Sequence, residues 1–218
     1  MEINENILLK DLDWYENSIC KIEYVKFEVS ELKIKERLNV YDQIKINTLL
    51  YALSSSLEYA AGQFYKKRNF GSNIPNRNEN SDDVSYRKKI EKFFEQRIDE
   101  ELFNIFNDLI QNPYYKELKK MNNDEKHNFI NLKHKIMTQT TETLYKSNEN
   151  IYNYSESEHE HEHVINMYQT THPTTEKYYN EAFTFTMNNR EVFQFLNDLI
   201  LMVEKFVEDI KDFLSKNQ

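Results

Sequence analysis

Glycine and proline are scarce in this chain of 218 residues, with two of the first and three of the second. Few positions force a turn, so long helices with few breaks are predicted. So few glycines also leave no Gly-rich phosphate loop, and no Gly-x-Ser-x-Gly, paired-Cys or His-Glu-x-x-His motif occurs. The single cysteine, Cys20, cannot form a disulfide within the chain. A reducing compartment, the cytoplasm, is the plain expectation. Its helical, amphipathic neighbours predict a buried structural thiol rather than a nucleophile. Positive charge is in deficit, 28 Lys and Arg against 37 Asp and Glu, a net charge of −9. Such a chain repels a polyanion overall, which disfavours a general nucleic-acid coating role. No stretch approaches the ~18 apolar residues of a membrane span. The longest candidate, Val192 to Val207, carries Gln194, Asn197, Asp198, Glu204 and Lys205. The opening MEINENILLKD has no basic-then-apolar run, so no secretory signal is expected.

Aromatic residues are plentiful, with 15 Tyr and 14 Phe, more than a disordered chain would carry. Apolar positions recur in threes and fours along most of the chain, the mark of amphipathic helices. Leu8, Leu12, Tyr15, Ile19, Ile22, Val25, Val29 and Leu32 define a first helix over 8–38. Asn39 breaks it, and a second follows over 40–67 with Ile46, Leu49, Leu53, Leu57, Ala60 and Phe64 inward. Its small residues, Ala52 through Gly62, place it at the centre of a bundle. An Asn-rich loop spans 69–83, where Ser81, Asp82 and Asp83 are good helix N-caps. A third helix aligns Ile90, Phe94, Ile98, Leu102, Ile105, Phe106 and Leu109, and Asn112-Pro113 ends it. A fourth is predicted over 114–146 on Leu118, Met121, Phe129, Leu132, Ile136 and Leu144. Residues 147–162 read as a solvated loop. Val164 to Tyr168 and Phe183 to Met187 alternate as strands of a short hairpin turning at His172-Pro173. A last helix carries Phe193, Leu196, Ile200, Val203, Val207, Ile210 and Leu214. The expected fold is therefore all-α: an up-and-down bundle of about five long helices in one domain over 1–218. A polar loop and a hairpin-like excursion over 147–188 precede the last helix.

One constellation on the fourth helix could carry chemistry. His127, Asn131 and His134 fall at i, i+4 and i+7, one face at ~100° per residue, away from Phe129, Leu132 and Ile136. Six lysines between Lys116 and Lys135, against Glu117, Asp124 and Glu125, make this stretch +3. Lys126, Lys133 and Lys135 are the residues placed to meet an RNA phosphate. A histidine near its ordinary pKa passes protons at neutral pH. The bland alternative is two surface histidines at helical spacing by chance.

The segment His127-Asn128-Phe129-Ile130-Asn131-Leu132-Lys133-His134 resembles the Arg-x(4–6)-His motif of HEPN domains, helical bundles in which an Asn often follows the Arg. Asn128 matches that Asn and His134 the His, while His127 stands where the family has Arg. The resemblance implies a homodimer with the motif faces in a shared cleft. It also implies a toxin–antitoxin or anti-phage setting, with RNA, an antitoxin or another protein as partner and no membrane or cofactor. In active members, metal-independent endoribonucleases, His134 would move the proton and the Arg would stabilise the phosphorane. Loss of the Arg predicts a weak or inactive member. The alternatives are an active endoribonuclease working through His134, and a helical interaction module with no site.

His159, His161 and His163 alternate with Glu158, Glu160 and Glu162. Imidazole and carboxylate suit zinc or nickel. A flexible tract enforces no geometry on a metal, so a solvated loop is the first expectation there.

Overall fold

The computed structural model describes residues 8, 11–35, 38–64, 74–78, 80–127, 132–146, 149–157, 175–185 and 187–217, with the backbone alone over 124–127 and over the strand residues within 132–182. The chain divides into two compact units, residues 1–130 with 193–218, and residues 131–192.

The first unit is a helical bundle. Its helices among the described residues are α1 (Trp14–Lys33), α2 (Val40–Ala61), α3 (Asp83–Phe94), α4 (Glu100–Gln111), α5 (Pro113–His127) and α6 (Val192–Lys216). Side-chain caps fix where they begin. Asp13 accepts from the Glu16 N–H, and the Glu16 carboxylate accepts from the Asp13 N–H. Asn39 and Asp42 form the same reciprocal box at α2. Asp82 and Asp99 cap α3 and α4.

The third helix predicted from the sequence is two helices. Glu95 ends α3 in the left-handed region at φ 53°, and Asp99 starts α4 four residues later. The hydrophobic series runs through the break, because Ile90, Phe94, Ile98, Leu102, Phe106 and Leu109 are all buried. A ring cluster joins the segments: Phe94 lies 5.1 Å from Phe106 and 5.5 Å from Phe64, and Phe64 lies 5.9 Å from Phe213. Helix α6 buries a broader face than its expected stripe, adding Phe195, Leu199, Met202, Phe206 and Phe213. At the other end of the prediction, Leu8 lies outside α1 and is exposed. Cys20 is half-buried rather than buried.

The second unit is where the fourth helix was expected to continue. Helix α5 stops at His127, and β1 spans Leu132–Lys146. Thr138, Thr140, Thr141 and Thr143 are β-branched and favour extended backbone over helix. Strand β2 spans Glu149–Ser157 and β3 spans Thr175–Phe185. All pairings are antiparallel and β1 is central, in the order β2-β1-β3. Lys146 pairs Glu149, Thr138 pairs Ser157, Glu142 pairs Thr175 and Leu132 pairs Phe185. The β excursion before the last helix is thus a three-stranded sheet, and it begins near residue 131 rather than 147. Part of the expected solvated loop is β2, and Phe183 to Phe185 end β3. The expected strand Val164 to Tyr168 lies outside the described residues. Beyond β3 the Phe185 N–H donates to the Arg190 carbonyl at 2.9 Å, and Asn189 adopts φ 55°.

Candidate functional site

The residues that were to share one helix face are distributed over separate elements. His127 is the last residue of α5, and His134 is the third residue of β1, paired with Phe183. Asn128 and Asn131 lie outside the described residues, as do His159, His161 and His163. The common face of His127, Asn131 and His134 requires an unbroken helix through 134. A strand stands there instead, so the residues do not share a helix face. Lys133 and Lys135 also lie on β1, and Lys126 lies on the last turn of α5. Among the described residues, no group of three or more His, Cys, Asp or Glu is arranged to hold a metal ion. No helix of the described residues is long and apolar enough to cross a membrane.

A different surface stands out on the α1–α2 hairpin. Helix α1 packs on α2, and Ile22, Val25, Val29 and Leu32 of α1 and Ile46, Leu49, Leu53 and Leu57 of α2 are buried. One contact between the two helices is serine on serine. Ser18 and Ser56 are fully buried, and the Ser56 hydroxyl donates to the Ser18 carbonyl at 3.3 Å and to the Ala52 carbonyl at 3.2 Å. The small residues thus serve one side of α2, as the sequence suggested.

Among the described residues, a flank of α2 beside the α1 contact is exposed. Tyr41, Ile44, Thr48, Tyr51, Ser55 and Tyr59 recur in threes and fours and form one outward stripe about 27 Å long at 1.5 Å per residue. Tyr41 is 77% exposed, Ile44 57%, Tyr51 61% and Tyr59 44%. No member of the stripe carries a charge, although 30% of the chain is Asp, Glu, Lys or Arg. An amphipathic surface helix normally turns charge toward water. Periodicity alone missed this stripe, because a second apolar face at the same spacing blurs the first. The signal was present as tyrosines at helical intervals with no lysine or glutamate among them.

Charges border the stripe. Lys45 pairs Glu28 at 2.5 Å across the hairpin. Lys21 donates to the Ser55 hydroxyl at 2.8 Å and lies 3.8 Å above the Tyr59 ring. Burial holds the Lys21 amine below its ordinary range. Asp42, at the start of α2, is buried and pairs with Lys35. Burial pushes its carboxyl up, but the hydrogen bonds from Lys35 and the Asn39 N–H outweigh this and hold it below the ordinary value. On α1, Tyr24 and Phe27 also face outward.

A shallow groove of about 440 Å³ lies elsewhere, lined by Lys26, Val29, Ser30, Lys33, Asn197, Ile200, Leu201 and Glu204. Its charged wall is internally satisfied, since Lys26 pairs with Glu204 at 2.5 Å and Glu23 at 3.0 Å. Tyr15 and α6 are tied in the same manner, with its hydroxyl donating to Glu208 at 2.5 Å and Lys211 over its ring.

No family model matches the chain, and neither a curated protein nor a solved structure does.

Proposed function

We propose that this chain is a helical contact protein that acts by binding another protein through the α1–α2 hairpin and not by catalysis. The observation that carries this is the uncharged, tyrosine-bearing stripe of α2 in a strongly charged chain. Tyrosine gives large contact area at little conformational cost and is enriched where proteins meet. A net charge of −9 and an uncharged stripe both favour a protein partner over RNA. Catalysis has less support, because His127 and His134 sit on different elements and the Arg of the resembled motif is absent. The bundle order, with a small-residue helix early and a long amphipathic helix last, supports a HEPN-like arrangement without a nuclease centre. The homodimer, the antitoxin partner and the toxin–antitoxin or anti-phage setting belong to this proposal through that resemblance.

RNA turnover tests it. Purified protein incubated with mixed RNA in EDTA should leave the RNA intact. Cleavage by the wild type that His134→Ala abolishes would contradict a non-catalytic role and restore the endoribonuclease alternative.

A further inference from the structure

Resting on the contact function proposed above, we infer that the α2 stripe docks onto the same stripe of a second copy of this chain, the two helices running antiparallel about a two-fold axis near Thr48 and Tyr51. A two-fold interface must be complementary to itself. This stripe nearly is. Turning α2 end for end about the midpoint of residues 49 and 50 brings Ile44 opposite Ser55 and Thr48 opposite Tyr51, with Tyr41 one residue in register from Tyr59. At the two inner positions a larger side chain meets a smaller one, so the helices can approach. At the ends tyrosine meets tyrosine, with the hydroxyls free to reach the wet rim.

Charge confines such a contact to the stripe. Two copies each at −9 repel, and contact through most of the surface would set like charge against like. The stripe lets two such copies meet without burying a carboxylate. Its neighbours Glu28 and Lys45 already neutralise one another, and Lys21 lies down against Ser55 and Tyr59. Area also suffices. Aromatic side chains present ~150–250 Å² each, so the exposed fractions of Tyr41, Tyr51 and Tyr59 with Ile44 amount to on the order of 500 Å² per copy. Twice that reaches the ~1,000 Å² at which specific interfaces begin.

Sedimentation equilibrium of the full chain tests this. The wild type should be a dimer at micromolar concentration and should tighten as salt rises, because screening relieves the mutual repulsion. Ile44→Glu and Tyr51→Glu, each at an exposed position, should raise the dimer Kd by roughly 30-fold or more with unchanged circular dichroism. Phe27→Glu, outside the stripe, should weaken it far less. In a Cys20→Ser background, mixed Ile44→Cys and Ser55→Cys copies should cross-link, and neither should cross-link with itself. A monomer at every concentration overturns the inference, as does a dimer indifferent to both Glu variants or one that cross-links position 44 to position 44. A monomer that instead binds a different protein through the stripe also overturns it, while leaving the contact function standing. His134-dependent RNA cleavage would sink that function without touching the dimer.

Discussion

Asp42 anchors the start of α2. It closes the capping box of α2, accepts from the Asn39 N–H at 3.0 Å and pairs with Lys35 while buried. Asp42→Ala should lower unfolding stability by about 1–2 kcal/mol in urea titrations near neutral pH. Its folded pKa lies below the ordinary 3.8, so the ionised form is the one that folding favours. The associated stability is complete above the unfolded value and is lost as pH falls through the folded one. The wild type should therefore lose its advantage over Asp42→Ala below pH ~4, and a gap that persisted undiminished at lower pH would contradict this. Ser56 makes a second residue-scale case. Ser56→Leu should cost on the order of 2–3 kcal/mol by forcing α1 away from α2, whereas Ser56→Ala should cost about 1. Equal melting temperatures for the two variants would show that the contact is not tight. The importance of small residues here was legible in the sequence, because Ala and Ser recur where helices must approach. The role of Asp42 was not legible, because nothing local distinguishes a buried, paired carboxylate from an exposed one.

Among the elements, α5 and β1 teach the most. Leu118, Met121, Phe129, Leu132, Ile136 and Leu144 fit a 3.6-residue period, with gaps of eight between Met121 and Phe129 and between Ile136 and Leu144. Four threonines lie in the second of these gaps, and a strand formed by cross-strand pairing is not visible in one segment's period. The same limit hid β2, whose partner lies on the other strand of a hairpin. The helices that bury one broad face were legible with ends off by up to six residues, because α1, α2 and α6 owe their existence to that periodicity. The break between α3 and α4 was hidden because the hydrophobic series passes through it. Glu95 pays a steric penalty there, at φ 53°, that glycine would not. Glu95→Gly should therefore stabilise the bundle by about 1 kcal/mol and raise Tm by roughly 2–4 °C. A lower Tm by calorimetry would mean that the contacts of the Glu95 side chain outweigh its backbone strain.

At the scale of the molecule, charge and bare aromatic surface pull in opposite directions. A net charge of −9 keeps copies apart, and the α2 stripe gives them one place to meet. Composition disclosed the first of these at once. The second required knowing which side of α2 faces α1, since the stripe is defined by what does not cover it. The shared helix face expected for His127 and His134 was misread for the converse reason, since these residues are near in sequence but belong to different elements. Hydroxyl-radical footprinting across a dilution series of the full chain addresses the contact surface most directly. Tyr41 and Tyr51 should be shielded at high concentration and become reactive on dilution, while Leu201 stays reactive throughout and buried Tyr86 stays silent. Equal labelling of Tyr41 and Tyr51 at every concentration, with no added protein that protects them, would contradict a contact role for α2.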